Sequence, residues 1–228
     1  MSENGPFGFA ARLRDMADQA VTPQRAEMRR LADAARVVIE RLVATEAPAE
    51  VIAEAAEALE QAASLLGGYG RGRLYEGFAE SANAGDPHAH FDHSPIIGKA
   101  NPLAPPLHLE VREGKIFGSA RFGSAYEGPP GAVHGGYVAA AFDELLGMAQ
   151  SLSGNPGMTG TLTIRYRRPT PLHTDLEFEG ELDRVEGRKI FTSGRVFAEG
   201  ELRAEAEAIF ISVDFSKIAE LMGRRGQT

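Results

Sequence analysis

The 228-residue chain contains no cysteine, which excludes disulfides, thiolate metal centres and a cysteine nucleophile. It has no basic excess: 24 Lys and Arg stand against 32 Asp and Glu, a formal net charge of -8. Phosphate-backbone binding needs a basic stripe, so DNA and RNA are not expected as partners. Nowhere does the chain reach the ~18 continuous apolar residues of a membrane span. Its start, Met1-Ser2-Glu3-Asn4-Gly5-Pro6, lacks the basic-then-apolar order of a secretory leader. These absences lead to the expectation of a cytoplasmic protein without a membrane partner.

What is present begins with amphipathic periodicity. Met28, Leu31, Ala35, Val38 and Leu42 recur at steps of three and four after Thr22-Pro23, a cap followed by a first-turn proline. Ile52, Ala55, Leu59, Ala62 and Leu66 repeat the pattern up to Gly67-Gly68, so a helical hairpin is expected within an N-terminal extension, residues 1–66. A shorter helix is expected over Phe9 to Ala20. The extension holds seven Arg and eleven acids, a net charge of 7 - 11 = -4, which disfavours a DNA-reading headpiece and leaves a bracing role.

Residues 67–106 are rich in Gly, Pro, His and Asn without sustained period and read as a connector. Its run Asp86-Pro87-His88-Ala89-His90-Phe91-Asp92-His93 offers nitrogen and oxygen ligands, but not at metal-site spacings, so no metal is expected. A loop closing over a substrate channel is the preferred reading.

From residue 107 to 213 the period switches to two. Strands are expected at Leu107 to Val111 and Lys115 to Phe122, then a helix from Gly135 to Leu152. Four more strands follow, at 158–167, 175–185, 188–198 and 201–213, with tight turns at Glu113-Gly114, Glu186-Gly187 and Glu199-Gly200. A short helix is expected in the tail, residues 214–228. The apolar helix needs cover on nearly every side, which a six-stranded antiparallel sheet curled around it supplies.

Chemistry concentrates in Gly131-Ala132-Val133-His134-Gly135-Gly136 and the helix it opens, where Asp143 and its neighbour Glu144 are the acids in an otherwise apolar stretch. Free N–H groups at a helix start and an acid two turns further in can polarise a carbonyl and attack it. Asp143 lies eight residues past Gly135, about 12 Å along one helix at 1.5 Å per residue. One chain cannot easily bring both to a single carbonyl; two antiparallel helices across a two-fold axis can.

With Glu127-Gly128-Pro129-Pro130-Gly131, His134-Gly135-Gly136, Asp143, Met158-Thr159, Tyr166-Arg167-Arg168-Pro169-Thr170-Pro171-Leu172 and Asp183-Arg184-Val185-Glu186-Gly187-Arg188-Lys189 in order, the stretch from about Tyr126 to Val213 resembles the hotdog-fold thioesterases of the PaaI type. The resemblance implies an α+β hotdog domain and hydrolysis of acyl-CoA, with CoA part of the substrate and no separate cofactor. It also implies a homodimer with composite sites, possible assembly into a tetramer, and a Thr159 hydroxyl that orients the attacking water. Asp143 is then the expected general base or nucleophile, with Gly136 N–H, assisted by Gly135 or His134, as oxyanion donor. Arg167, Arg168, Arg188 and Lys189, with Arg165 nearby, are the expected CoA-phosphate contacts; pairing with the many Glu residues is the alternative. In the PaaI-like branch an Asn or Gln stands six positions before the His, where this chain has Gly128. Glu144 is expected to be a solvated neighbour. Two other readings use the same scaffold: a non-catalytic acyl-CoA sensor and a hydratase or dehydratase.

Overall fold

The structure is a computed structural model that describes residues 21–69, 92–155 and 157–213. The expected helices over Phe9 to Ala20 and in the tail, and most of the His-rich run, lie outside the described residues.

Helix α1 (Pro23–Ala44) is capped by Thr22, whose hydroxyl accepts from Arg25 N–H at 3.3 Å, with Pro23 in the first turn as expected. Helix α2 (Ala49–Gly67) follows after a short link. Strands β1 (Leu107–Arg112) and β2 (Lys115–Ala120) form a hairpin, α3 (Gly135–Ser151) comes next, then β3 (Gly157–Tyr166), β4 (Leu176–Glu186), β5 (Lys189–Ala198) and β6 (Glu201–Ser212). Glu113 and Gly114 both have positive φ, 51° and 76°, the two-residue turn that matches strand twist; Glu199 and Gly200 repeat it at 54° and 75°. All six strands are antiparallel, in the order β1-β2-β4-β5-β6-β3.

The sheet wraps α3, which buries Val138, Ala141, Phe142, Leu145, Leu146 and Ala149 against Ile116, Phe178, Ile190, Val196 and Phe210. The sequence offers Gly147 and the helix alanines as the residues that would permit so close an approach. A Cβ at Gly147 would meet nothing nearer than 4.0 Å, so that glycine is not what permits it. The critical glycines are in the sheet. Gly180 and Gly194 pair across β4 and β5, and a Cβ on them would run into Leu145 at 2.9 Å and into Leu145 and Leu146 at 3.1 Å.

One expectation about the first hundred residues is corrected. α2 does not fold back along α1: its 19 residues include none that is buried, and the two helices share no extended contact. Amphipathic spacing showed that each helix had an apolar face but not what would cover it. The described part of the connector, residues 92–106, holds no strand, as its lack of period predicts, and it is packed against the domain. Asp92 and Ser94 are buried, Ile97 joins the core, and the Arg36 guanidinium donates to the carbonyls of Gly98, Lys99, Asn101 and Ala104. Backbone carbonyls clamped by one distant arginine leave no periodicity to read.

Candidate active site

The start of α3 is fixed from three directions. His134 N–H donates to Tyr126 O at 2.8 Å and Val133 N–H to Thr170 O at 2.8 Å. The Tyr166 hydroxyl donates to Gly135 O at 2.8 Å; burial pushes that hydroxyl's pKa up, which keeps it a donor. Tyr126 and Tyr137 meet edge-to-face at 4.8 Å beside it.

His134 is the helix N-cap, and its Nδ1 accepts from Gly136 N–H at 3.0 Å. An Nδ1 that accepts carries no proton, so the neutral ring bears its proton on Nε2 and presents a donor outward. Gly136 N–H, the expected oxyanion donor, is therefore occupied by the imidazole in this structure. Gly128 explains the departure from the PaaI-like pattern: a side chain there would come within 2.7 Å of the His134 Cα, so no amide fits at this position.

Asp143 and Thr159 come together. The Thr159 hydroxyl donates to Asp143 Oδ1 at 2.9 Å, and both residues are exposed. Their meeting depends on an irregularity: pairing of β3 with β6 slips between Thr159 and Thr161, leaving Gly160 as an extra residue. Such a bulge re-aims the side chains beside it. Both residues sit at the open edge of the sheet, since among the described residues β3 has a neighbour only in β6 and is exposed along most of its ten residues.

Glu144 is not the solvated neighbour its position suggests. It is half-buried and accepts from the Ser94 hydroxyl at 3.2 Å. Burial pushes its pKa up, the Ser94 bond opposes this, and the Asp143 charge adds to the rise. A helical wheel puts Glu144 about 100° from Asp143, but the segment that covers it is 50 residues distant in sequence and gave no signal.

The four basic residues expected to hold CoA form two pairs, not one cluster. Arg167 and Arg168 sit beyond the end of β3, where both amides donate to Arg203 O. Arg188 and Lys189 sit by its start, where Arg188 donates to Ser212 O at 3.1 Å and Ser212 is the register partner of Gly157. A ten-residue strand separates the pairs by about 30 Å. Arg167 pairs with Glu205, Arg168 with Glu201 at 2.9 Å and Arg165 with Glu207 at 3.2 Å. Among the described residues no group of three or more His, Cys, Asp or Glu could hold a metal ion, and no helix is long and apolar enough to cross a membrane.

The sequence profile described as the thioesterase superfamily matches residues 130–205. Acyl-coenzyme A thioesterase THEM4 from Xenopus laevis is 36% identical over 93 residues, 40% of this chain and 42% of that protein. The Bos taurus THEM4 is 39% identical over 97 residues, 42% of this chain and 40% of that protein. The chain thus spans about two fifths of the length of these curated relatives. A solved thioesterase superfamily protein is similar over much more: 35% identity and a TM-score of 0.71, covering 81% of this chain and 94% of the other.

Proposed function

The chain belongs to the thioesterase superfamily, and from that premise we propose that it hydrolyses acyl-CoA to the free acid and CoA at two composite sites of a homodimer. One observation carries the reading: the structure joins Asp143 to Thr159 on the exposed edge of the sheet, about 12 Å along α3 from the N–H groups that would stabilise the oxyanion.

A ten-residue edge strand with unpaired N–H and C=O groups is a template for pairing with another chain. Antiparallel pairing of β3 with its copy across a two-fold axis brings the acid end of one α3 towards the glycine end of the other. It also sets Arg167 and Arg168 near Arg188 and Lys189 of the partner subunit, because the end of one β3 then lies beside the start of the other. The CoA phosphates bind at that reunited cluster. Exposed ion pairs such as Arg168–Glu201 are worth about 0–1 kcal/mol and yield readily to a phosphate.

Asp143, oriented by Thr159, takes a proton from water as the water oxygen bonds to the thioester carbon. The carbonyl oxygen becomes an oxyanion held by Gly136 N–H, where it replaces His134 Nδ1 as acceptor, and by Gly135 N–H. Each donor of this kind is worth roughly 3–4 kcal/mol in the transition state. Collapse breaks the carbon–sulfur bond, and the proton on Asp143 passes to the departing CoA sulfur. Asp143→Ala tests the assignment: a loss of about 10²- to 10⁴-fold in kcat is expected for a general base, and wild-type activity would refute it. Single turnover in ¹⁸O-water is expected to label the product acid, whereas label on Asp143 would show direct attack by the carboxylate.

A further inference from the structure

We infer that α1 is a positioning element of the active site and holds both working ends of α3 through two separate struts; this rests on the proposed roles of Asp143 and the helix start.

The first strut reaches the oxyanion end. Glu40 on α1 accepts from Ser124 N–H at 2.7 Å through Oε1 and from Ala125 N–H at 3.0 Å through Oε2. This fixes the 3-10 turn Ser124–Tyr126, and the carbonyl of Tyr126 in turn receives His134 N–H at 2.8 Å. A single carboxylate on α1 therefore sets the height of the residue that caps α3. Burial pushes the Glu40 pKa up, but the bonds from Ala125 and Ser124 outweigh it and hold the carboxyl below its usual range, so it acts as an ionised acceptor.

The second strut reaches the acid end. Arg29 on α1 donates to buried Asp92 at 2.6 Å, with Arg25 a further 3.6 Å contact to the other oxygen. Asp92 begins a knot in which its carbonyl accepts from Ala100 N–H and Ser94 O accepts from Gly98 N–H. Ser94 Oγ accepts from both Ile96 N–H and Ile97 N–H at 3.2 Å, which fills its lone pairs and leaves its proton for Glu144. Glu144 is joined by one peptide bond to Asp143. The rotation of α3 that points Asp143 at Thr159 is thereby referred to α1.

Five full-length variants and the wild type test this by kcat, KM and thermal unfolding on one acyl-CoA. Ser94→Ala and Glu40→Ala are each expected to lower kcat about tenfold with KM within twofold, because small displacements of reacting groups cost rate at unchanged binding. Glu144→Ala should behave like Ser94→Ala. Glu144→Gln, which still accepts the Ser94 proton, should restore kcat to within twofold. Wild-type kcat in Ser94→Ala and Glu40→Ala, with Asp143→Ala inactive, would overturn the inference and leave the site assignment standing. A Glu144→Gln variant as slow as Glu144→Ala would also overturn it. Activity in Asp143→Ala would instead sink the catalytic reading on which the inference rests.

Discussion

The start and the middle of α3 are both held by a glutamate, and the two glutamates are tuned in opposite directions. Glu40, facing the start, receives two backbone N–H groups and is kept ionised. Glu144, beside Asp143, receives one hydroxyl and is pushed toward its neutral form by burial and by the neighbouring acid. The number of donors relative to the cost of burial decides the sign. The start of α3 is thus held through an ionised acceptor, whereas its middle is held through a hydroxyl bond to a glutamate whose pKa is raised.

Breaking the chemistry at each end should give the largest contrast. Asp143→Ala removes the proton acceptor and should cost about 10²- to 10⁴-fold in kcat. His134→Ala removes only a cap that the substrate oxygen displaces, so its activity loss should stay under about tenfold, with about 1 kcal/mol of stability lost with the cap. Steady-state kinetics with chemical unfolding checks both, and a His134→Ala defect as deep as that of Asp143→Ala would make the imidazole, not the backbone, the main carbonyl donor.

The two glutamates should next separate by pH. Glu144 has a raised folded pKa, so its stabilisation is present below the usual carboxylate value and lost as pH rises through the raised one. Glu144→Gln should match wild-type Tm near pH 4 and exceed it near pH 7. Glu40 has a lowered pKa, so its contribution is present above the usual value and lost as pH falls through the lowered one. Glu40→Gln, which keeps one of two acceptors, should fall below wild type at pH 7 and converge on it at low pH. Parallel pH profiles of the two variants would show that the opposite tuning is absent.

The smallest effect concerns the helix that holds neither end. α1 is tied down by Arg29, Arg36 and Glu40, whereas α2 buries nothing, and a helix without tertiary packing is marginal in water. Hydrogen exchange should be far faster in α2 than in α1; equal protection would mean that a further surface covers α2.

Periodicity and turn chemistry made most of the fold legible. The strand pattern, the Glu113-Gly114 turn, the Thr22-Pro23 helix start and the apolar helix opening from a glycine turn were all local signals, and each of these elements formed within a residue or two of its expected bounds. In the site, Asp143 and Thr159 were singled out and do meet. What escaped was nonlocal. The Ser94–Glu144 bond, the Glu40 strut and the Arg36 clamp span 50 to 85 residues and use polar side chains on segments with no period. The separation of the basic residues into two pairs escaped for a different reason: closeness to strand ends in sequence did not say which end of the sheet each strand would present.

Complementation tests the composite site most directly. Asp143→Ala and Gly136→Pro, the latter lacking one donor but tolerated in a first helical turn, should each be nearly inactive alone. When they are unfolded together and refolded at equal amounts, half of the dimers are mixed and each has one intact site, so about one quarter of wild-type activity should return. Activity no greater than the sum of the parents, with both variants folded and mixed dimers seen by native mass spectrometry, would contradict a site built from the acid of one chain and the helix start of the other.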